Sequence, residues 1–361
     1  MSLPSRCAEW PTSRLAIGGA ARAELPRNPF ELVDLQRRRV AYLRLSVTDR
    51  CNYRCSYCMP AQGVDVVPRA ELLNFEEMTK LVRVFVQLGV RRVRLTGGEP
   101  LVRRGVVDLV QQLAAIPGLD DLAMTTNGHL LAELAEPLRK AGLQRLNISI
   151  DTLDPQKFAE VSRGGALPPV LDGIAAAQRA GFASIKLNAV TLRGLNDDAL
   201  LPLCDFAARE KLVLRLIEYM PIGVDAHWGP ETWMPVAQAR ARVSAAYALE
   251  PDDSGEIPGG GPARYWRGRH LQTGQELRVG FIAAVSEKFC ETCNRVRLSA
   301  TGTLRECLST RGVLSLRDLL RAGATEVELT AAIRDALAGK VDGHHYDAAE
   351  PTLESMSAIG G

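Results

Sequence analysis

Cysteine is the residue type in this 361-residue chain whose spacing most clearly indicates chemistry. Six of the eight cysteines fall into two groups of three. The first cysteine group has the spacing C-x3-C-x2-C and consists of Cys51, Cys55 and Cys58. The second cysteine group consists of Cys290, Cys293 and Cys307. A structural zinc site usually has four protein ligands, so three cysteines favour a 4Fe-4S cluster with one open iron, unless a distant residue completes a zinc site.

The first cysteine group lies in a longer signature. Its spacing, with the aromatic Tyr57 immediately before Cys58, resembles the cluster motif of the radical S-adenosylmethionine enzymes. The loop Thr96–Pro100, with the sequence Thr-Gly-Gly-Glu-Pro, resembles the family segment that contacts the methionine amino group. Without this context the glycine pair would indicate only a tight turn. The resemblance implies S-adenosylmethionine on the open iron, with contacts from Tyr57, Gly98, Ser149 and Met220.

At the second cysteine group a zinc site is a stronger alternative to an iron-sulfur cluster, because His270 or His344 could supply a fourth ligand. The surrounding sequence makes the zinc site less favoured. Together with the segments 216–223 and 261–265 and the terminal Gly-Gly, this cysteine group resembles the GTP 3',8-cyclase family of molybdenum cofactor biosynthesis. The resemblance covers the chain from about residue 30 to its end. It implies a second 4Fe-4S cluster whose open iron faces the purine of GTP, and a catalytic role for the terminal residues Gly360 and Gly361.

A polyanionic substrate requires fixed cations. GTP carries about four negative charges, and the planar guanidinium of Arg suits phosphate better than the ammonium of Lys. The candidate cations are Arg44, Arg94, Lys186, Arg295 and Arg297. Any one of them could instead form a structural ion pair. The resemblance implies GTP contacts, and at Arg295 and Arg297 also a catalytic role, with Val296 contributing only backbone or packing; the full set is Arg44, Arg94, Thr125, Lys186, Arg295, Val296 and Arg297.

Alternating strand and helix patterns position these residues. The sequence predicts strands at 42–47, 93–96, 122–126, 146–151, 185–190 and 212–217. It predicts helices between them at 74–88, 102–116, 130–141, 170–180 and 197–210. Asn74 and Glu77 have the spacing of a capping box at the first helix. Six strands joined by five helical crossovers indicate a parallel α/β sheet.

The faces of these strands favour a barrel over an open sheet. One face is apolar, whereas the other carries polar residues such as Arg44, Arg94, Asn147 and Lys186. A parallel sheet covered by helices on both faces would be apolar on both. Polar strand ends in solvent would give the same pattern and remain an alternative. The predicted fold class is an incomplete six-stranded parallel (β/α)6 barrel, as the resemblance also implies, with a C-terminal α+β extension that carries the second cluster.

The chain divides into three predicted parts. Residues 1–28 lack periodicity and are interpreted as a mobile N-terminal extension. Residues 29–258 are the predicted barrel, and residues 259–361 the auxiliary-cluster domain with its Gly-Gly tail. The boundary rests on the turn-rich stretch 251–262. In the last part we expect strands at 277–285 and 294–299, a short strand leading into Cys307, and helices at 315–321 and 330–338.

Composition narrows the functional class. The chain is 46% apolar and 24% charged, with 44 basic and 42 acidic residues, so no overall basic field favours nucleic acid or an anionic membrane. No apolar run is long enough to span a membrane, and no secretory signal is present, which predicts a cytoplasmic protein. The resemblance suggests a homodimer and a downstream partner, cyclic pyranopterin monophosphate synthase.

The function implied by the resemblance is the radical cyclisation of GTP to (8S)-3',8-cyclo-7,8-dihydroguanosine 5'-triphosphate. Two alternatives remain at this point. A radical enzyme that modifies a peptide would use the second cluster to ligate the peptide, and it predicts an acidic or apolar cavity. A non-catalytic metal-binding or electron-transfer protein would need neither the glycine loop nor a cavity.

Overall fold

The computed structural model describes residues 31–223, 228–257, 261–344, 346 and 356–360. The predicted extension 1–28 and the terminal Gly361 lie outside the described residues.

The predicted succession of strands and helices is present. The first six strands, β1 to β6, are Tyr42–Ser46, Arg92–Thr96, Asp121–Thr126, Arg145–Ser149, Ser184–Thr191 and Val213–Glu218. The helices between them, α1 to α6, are Phe75–Gln87, Val106–Ala114, Leu131–Lys140, Pro155–Ser162, Leu167–Arg179 and Leu200–Arg209. The six strands lie side by side in chain order, and each neighbouring pair is parallel. Helix α4 was not predicted, because eight residues give little periodic signal.

Helix α1 shows how the local sequence sets an element. Asn74 accepts a hydrogen bond from the backbone N–H of Glu77, and the Glu77 carboxylate accepts one from the N–H of Asn74. This capping box satisfies two helix-terminal donors, as predicted. The apolar side of the helix is buried through Met78, Leu81 and Phe85. The helix therefore covers the outside of the sheet and leaves the other face of the strands free.

The C-terminal part adds six strands and four helices within the described residues. The strands, β7 to β12, are Tyr247–Pro251, Arg264–His270, Glu276–Ile282, Arg295–Leu298, Thr303–Arg305 and Leu314–Ser315. The helices, α7 to α10, are Val236–Ser244, Leu316–Arg321, Glu326–Ala338 and Met356–Ile359. Strands β9, β10 and β11 and helices α8 and α9 were predicted. The stretch 251–262 connects the adjacent antiparallel strands β7 and β8, which pair at Pro251 and Trp266.

Two of these late strands extend the parallel region. Strand β10 pairs in parallel with β1, and β9 pairs in parallel with β6. The complete order is β12-β11-β10-β1-β2-β3-β4-β5-β6-β9-β8-β7, with antiparallel pairs at both ends. The sheet is therefore mixed, and its parallel part is larger than the six strands predicted. Strand pairing between distant segments leaves no local pattern, so the sequence could not indicate it.

The two faces of the strands differ as predicted. Leu43, Leu45, Leu95 and Ile148 are fully buried in the hydrophobic core. Polar residues at the alternate positions line an internal cavity, among them Arg44, Arg94, Thr96, Ser149 and Asn188. These residues do not project into bulk solvent, which removes the alternative of exposed strand ends. The polar face of the sheet thus lines this internal cavity.

Candidate active site

A cavity of about 330 Å³ lies on the polar face of the sheet. Its lining includes all six cysteines of the two cysteine groups. A wider depression of about 800 Å³ lies at the opposite, amino ends of the strands and contains none of them. Because parallel α/β folds place their chemistry at the carboxyl ends of the strands, the cavity with the cysteines is the candidate active site.

The first cysteine group lies in the loop after β1, held by backbone contacts. The amides of Arg54 and Ser56 donate to the carbonyls of Ser162 and Val161 at 3.0 and 2.9 Å, which anchors the loop to the end of α4. Burial raises the pKa of the Cys51 thiol to about 11 and that of Cys58 to about 12. Thiols in this environment become ligands by releasing their protons to solvent when a metal binds, since few are ionised beforehand.

The glycine loop packs against the chain that precedes the first cysteine. A Cβ atom on Gly98 would lie 2.3 Å from the carbonyl oxygen of Arg50, so no other residue fits without moving backbone. The next residue, Glu99, is buried and accepts hydrogen bonds from the amide of Leu101, the hydroxyl of Thr126 and the amide of Asn127, at 2.6 to 3.0 Å. Burial raises the pKa of this carboxyl to about 7. The loop is therefore fixed beside the cysteines.

The predicted S-adenosylmethionine contacts Tyr57, Gly98, Ser149 and Met220 all line the cavity. The Tyr57 hydroxyl donates to Asp151 at 2.7 Å, and Asp151 accepts a second bond from the amide of Val190 at 2.9 Å. Burial raises the pKa of the Asp151 carboxyl to about 6. The Tyr346 hydroxyl lies 3.5 Å from the sulfur of Met220. Neither Asp151 nor Tyr346 was predicted as a site residue.

The second cysteine group has cationic surroundings. The Arg295 guanidinium lies 3.7 Å from the sulfur of Cys293 and stacks over the ring of Phe289. Burial alone would raise the pKa of the Cys293 thiol, but Arg295 and Lys340 outweigh it and the pKa is lowered. This thiol therefore loses its proton more readily than an ordinary buried cysteine would.

The donor geometry argues against a single zinc ion. Within the described ranges, no set of three or more His, Cys, Asp or Glu side chains converges on one metal position. The candidate ligand His270 lies on β8, where its Nδ1 accepts from the amides of Gln272 and Thr273 at 3.2 Å. His344 lines the cavity and stacks on Tyr346. Each cysteine group instead lines the cavity, and three thiols per group suit a 4Fe-4S cluster with one open iron.

Buried and partly buried arginines form one wall of the cavity, which we call the cation wall. Arg44, Arg94, Arg295 and Arg297 all line it. The pKa of Arg44 lies well below its usual value, first because the group is buried and then because Arg297 and Arg94 repel its charge. In the part of the chain that the structure describes, Arg94 Nε and Thr125 Oγ1 are buried without a hydrogen-bond partner. Such orphaned groups facing a cavity indicate a polar ligand.

Two predicted GTP contacts do not line this cavity. Val296 is fully buried in the hydrophobic core. Lys186 is 2% exposed, and its Nζ lies 3.3 Å from the hydroxyl of Tyr265. Burial, followed by the charge of Arg215, lowers the pKa of Lys186 to about 6.

Arg215 on β6 is a cavity cation that the sequence reasoning missed. Its Nε donates to Asn188 at 2.8 Å, and its guanidinium also bonds Asn147. The signal was available, because Arg215 lies between the outward-facing Leu214 and Leu216 and continues the polar alternation of the other strands.

The chain terminus enters the same region. The carbonyl oxygen of Gly360 accepts hydrogen bonds from the Arg297 guanidinium and the Thr96 hydroxyl. Gly360 has a φ of +73°, and a Cβ there would lie 2.8 Å from Thr96 Oγ1. Further back, the amide of Met356 donates to the carbonyl of Cys58 at 3.3 Å. The tail therefore contacts both the first cysteine loop and the cation wall, while Gly361 lies beyond the described residues.

Comparison with known proteins identifies the family. The chain is 46% identical to the GTP 3',8-cyclase of Pseudomonas putida (strain W619), over 93% of this chain and 100% of that protein. It is 44% identical to the GTP 3',8-cyclase of Pelotomaculum thermopropionicum, over 91% of this chain and 99% of that protein. The chain belongs to the GTP 3',8-cyclase family.

Two domain families match successive parts of this GTP 3',8-cyclase family member. The Radical SAM superfamily matches residues 45–207, and Molybdenum Cofactor Synthesis C matches residues 212–346. The fold is similar to the crystal structure of Streptococcus suis SuiB bound to precursor peptide SuiA, with a TM-score of 0.58, 15% identity, and coverage of 88% of this chain and 75% of that one. The domain match identifies the radical S-adenosylmethionine superfamily, and the structural likeness supports its α/β fold with a C-terminal extension.

Membership of the GTP 3',8-cyclase family implies a 4Fe-4S cluster and S-adenosylmethionine. The first cysteine group fits that cluster, because its three thiols line the cavity beside the fixed glycine loop. Helices that are both long and apolar enough to cross a membrane do not occur among the described residues.

Proposed function

We propose that this protein converts GTP to (8S)-3',8-cyclo-7,8-dihydroguanosine 5'-triphosphate, the first step of molybdenum cofactor biosynthesis. The names of its relatives and its two domain families support this assignment. The observation that carries it is the shared cavity, in which two cysteine groups, a glycine loop and buried arginines face one space. A radical-generating half and a polyanion-binding half are thereby joined within one site.

The reaction begins at the first cysteine group. When bound there, the cluster and S-adenosylmethionine supply a 5'-deoxyadenosyl radical after transfer of one electron and release of methionine. Removal of the 3' hydrogen of the GTP ribose, bond formation between C3' and C8, and addition of one electron and one proton then give the product. The protein's own contribution is placement: Gly98, Tyr57, Ser149 and Met220 hold the S-adenosylmethionine side of the cavity.

The cation wall is proposed to hold the triphosphate and orient the purine. Arg44 and Arg94 lie close enough for their charges to repel, and an anionic ligand would relieve that repulsion. The orphaned Thr125 hydroxyl and Arg94 Nε offer two hydrogen bonds to such a ligand. Lys186, which lies behind the residues that line the cavity, would add a contact to GTP. The strand that carries Arg295 and Arg297 would lie near the guanine base. Val296 contributes packing in this arrangement.

Further parts of the proposal rest on the family resemblance. We propose that the second cysteine group holds a second 4Fe-4S cluster and that Gly360 and Gly361 take part in the radical step. We also propose a partial barrel for residues 29–258 and an auxiliary-cluster domain for residues 259–361, preceded by the extension 1–28. A homodimer, a cytoplasmic location and transfer of product to a cyclic pyranopterin monophosphate synthase complete the assignment.

The cavity disfavours the two alternatives. A peptide-modifying enzyme is suggested by the SuiB structure with its precursor peptide, but at 15% identity that likeness concerns the fold alone. A cavity wall of largely enclosed arginines suits a polyphosphate better than a peptide. An electron-transfer protein would have no use for an internal space between its metal sites.

The test is anaerobic reconstitution with iron, sulfide, S-adenosylmethionine and a reductant, followed by addition of GTP. We expect 5'-deoxyadenosine and cyclised nucleotide to form in nearly equal amounts. ATP, which has the same triphosphate and a different base, serves as the control substrate and should give little cyclised product. Formation of 5'-deoxyadenosine without any cyclised GTP in the reconstituted protein would contradict the proposal.

A further inference from the structure

Two buried cations lie behind the second cysteine group, and the proposed reaction does not use them. Arg38 precedes β1 and is 7% exposed, and Lys340 follows α9 and is 2% exposed. Neither side chain lines the active-site cavity. A buried cation needs either a counter-ion or a full set of acceptors, so the partners of these two groups define their role.

Arg38 is held by Asp34 and points at backbone oxygens. Its Nε lies 2.6 Å from Asp34 Oδ2, and its own amide donates to Asp34 Oδ1 at 2.8 Å. The Nη1 atom donates to the carbonyls of Cys290 and Asp342, both at 3.0 Å. The Nη2 atom donates to the carbonyl of Val341 at 2.6 Å. One guanidinium therefore ties the first residue of the second cysteine group to the loop after α9.

Lys340 supplies the matching contacts to the segments that carry the other two cysteines. Its Nζ donates to the carbonyl of Arg295 at 3.0 Å and to the carbonyl of Glu306. Arg295 is two residues after Cys293, and Glu306 immediately precedes Cys307. The two cations thus bind a carbonyl in each of the three segments that carry the second cysteine group.

We infer that Arg38 and Lys340 are positioning residues that hold the second cysteine group in the arrangement its cluster requires. The inference rests on the proposed function, since that function places a 4Fe-4S cluster at this group. Cys290 and Cys307 are separated by 17 positions and lie on different short segments, so local structure alone does not fix their spacing. Cation-to-carbonyl bonds from two side chains that do not line the cavity fix it instead.

The first cysteine group differs in this respect. Its three cysteines lie within one loop, and that loop is anchored by backbone bonds from Arg54 and Ser56. Removal of Arg38 or Lys340 should therefore affect one cluster and spare the other. This selectivity separates a positioning role from a general contribution to folding.

The test uses full-length protein in which Cys51, Cys55 and Cys58 are all replaced by Ala, so that all bound iron reports on the second group. Arg38→Met and Lys340→Met are each introduced, with Arg39→Met and Lys140→Met as controls at exposed positions. The readouts are the rate of iron transfer to a chelator and the electron paramagnetic resonance signal of the reduced cluster. We expect about 10-fold or greater acceleration of iron loss in the two test variants, no change in the controls, and partial recovery with Arg38→Lys.

The same substitutions are then made in protein with Cys290, Cys293 and Cys307 replaced by Ala. Here the first cluster should keep its iron and its signal, which shows that the fold is intact. Equal losses from both clusters, or no loss from the second, would overturn the inference while leaving the proposed function standing. Absence of iron in the second group before Arg38 or Lys340 is changed would overturn the second cluster itself, and the inference with it.

Discussion

The two cysteine groups have the same number of ligands in opposite electrostatic surroundings. Near the first group the buried charges are the carboxyls of Glu99 and Asp151, and burial raises the pKa of its thiols. Near the second group the cations Arg295 and Lys340 lower the pKa of Cys293 despite its burial, although the buried Glu306 carboxyl also lines the cavity beside Cys307. The two groups line the same cavity, so the difference between the pKa shifts of their thiols comes from the neighbouring charged side chains.

This contrast indicates a division of labour. A cluster with three thiolate ligands becomes more negative when reduced, so nearby carboxylates and low-dielectric surroundings favour a low reduction potential. A low potential suits the donor of an electron to S-adenosylmethionine. Cations near the second cysteine group would favour a bound polyanion and a higher potential of the proposed second cluster. Under the proposed function, the first cysteine group is the radical side and the second is the substrate side.

The largest expected effect comes from breaking the radical side. Cys55→Ala removes a ligand from the first cluster, so 5'-deoxyadenosine formation should fall to background. The iron content of anaerobically prepared protein should fall from about eight to about four per chain, because the second cluster remains. Cys204→Ala, at a buried cysteine outside both groups, is the control. Stoichiometric zinc without acid-labile sulfide in the unmodified protein would contradict the cluster assignment.

A smaller effect is expected on the substrate side. Arg297→Ala removes a charge-assisted contact worth roughly 1.5 to 3 kcal/mol, so the KM for GTP should rise about 10- to 150-fold. Reductive cleavage of S-adenosylmethionine should survive, because the hydrogen bond of Arg297 goes to the carbonyl of Gly360 and not to the first cysteine loop. Arg269→Ala, an exposed arginine on β8, is the matched control. An unchanged KM for GTP in Arg297→Ala would show that the cation wall does not bind GTP.

Much of this contrast could be predicted from the sequence. Cysteine spacing is local, and strand alternation placed Arg44, Arg94 and Ser149 on the cavity face. The packing of β9 and β10 beside β6 and β1 could not be predicted, because it joins segments far apart in the chain. The same holds for Arg38, whose partner Cys290 is 252 positions away. Long-range contacts to backbone carbonyls leave no residue pattern to detect.

Replacement of Lys186 should change the free energy of unfolding moderately and in a pH-dependent way. Its pKa is lowered to about 6 in the folded chain, from 10.5, so between these values the unfolded chain binds the extra proton and stability rises with pH. Lys186→Met should stabilise the ligand-free protein at pH 7, and this advantage should shrink toward pH 9 by at most about 1.4 kcal/mol per pH unit. Urea unfolding at the two pH values measures it. GTP binding should nevertheless weaken.

A constant difference in unfolding free energy between Lys186→Met and the unmodified protein, from pH 7 to pH 9, would show that Lys186 is charged in the fold. Lys140→Met, at an exposed lysine, should show no pH-dependent difference.

The smallest expected effect concerns the reduction potentials. Arg295→Gln removes the cation beside Cys293, so the potential of the second cluster should fall while that of the first stays unchanged. Redox titration followed by electron paramagnetic resonance, in protein with only one cysteine group intact, separates the two values. A first cluster with a potential equal to or above that of the second would reverse the assignment of sides.

The most direct measurement compares two products in one anaerobic assay. Cys293→Ala protein, supplied with S-adenosylmethionine, reductant and GTP, is analysed for 5'-deoxyadenosine and for cyclised nucleotide. If the first group makes the radical and the second places the substrate, 5'-deoxyadenosine should still form while cyclised nucleotide is lost. Cyclised nucleotide at the rate of the unmodified protein would contradict the account.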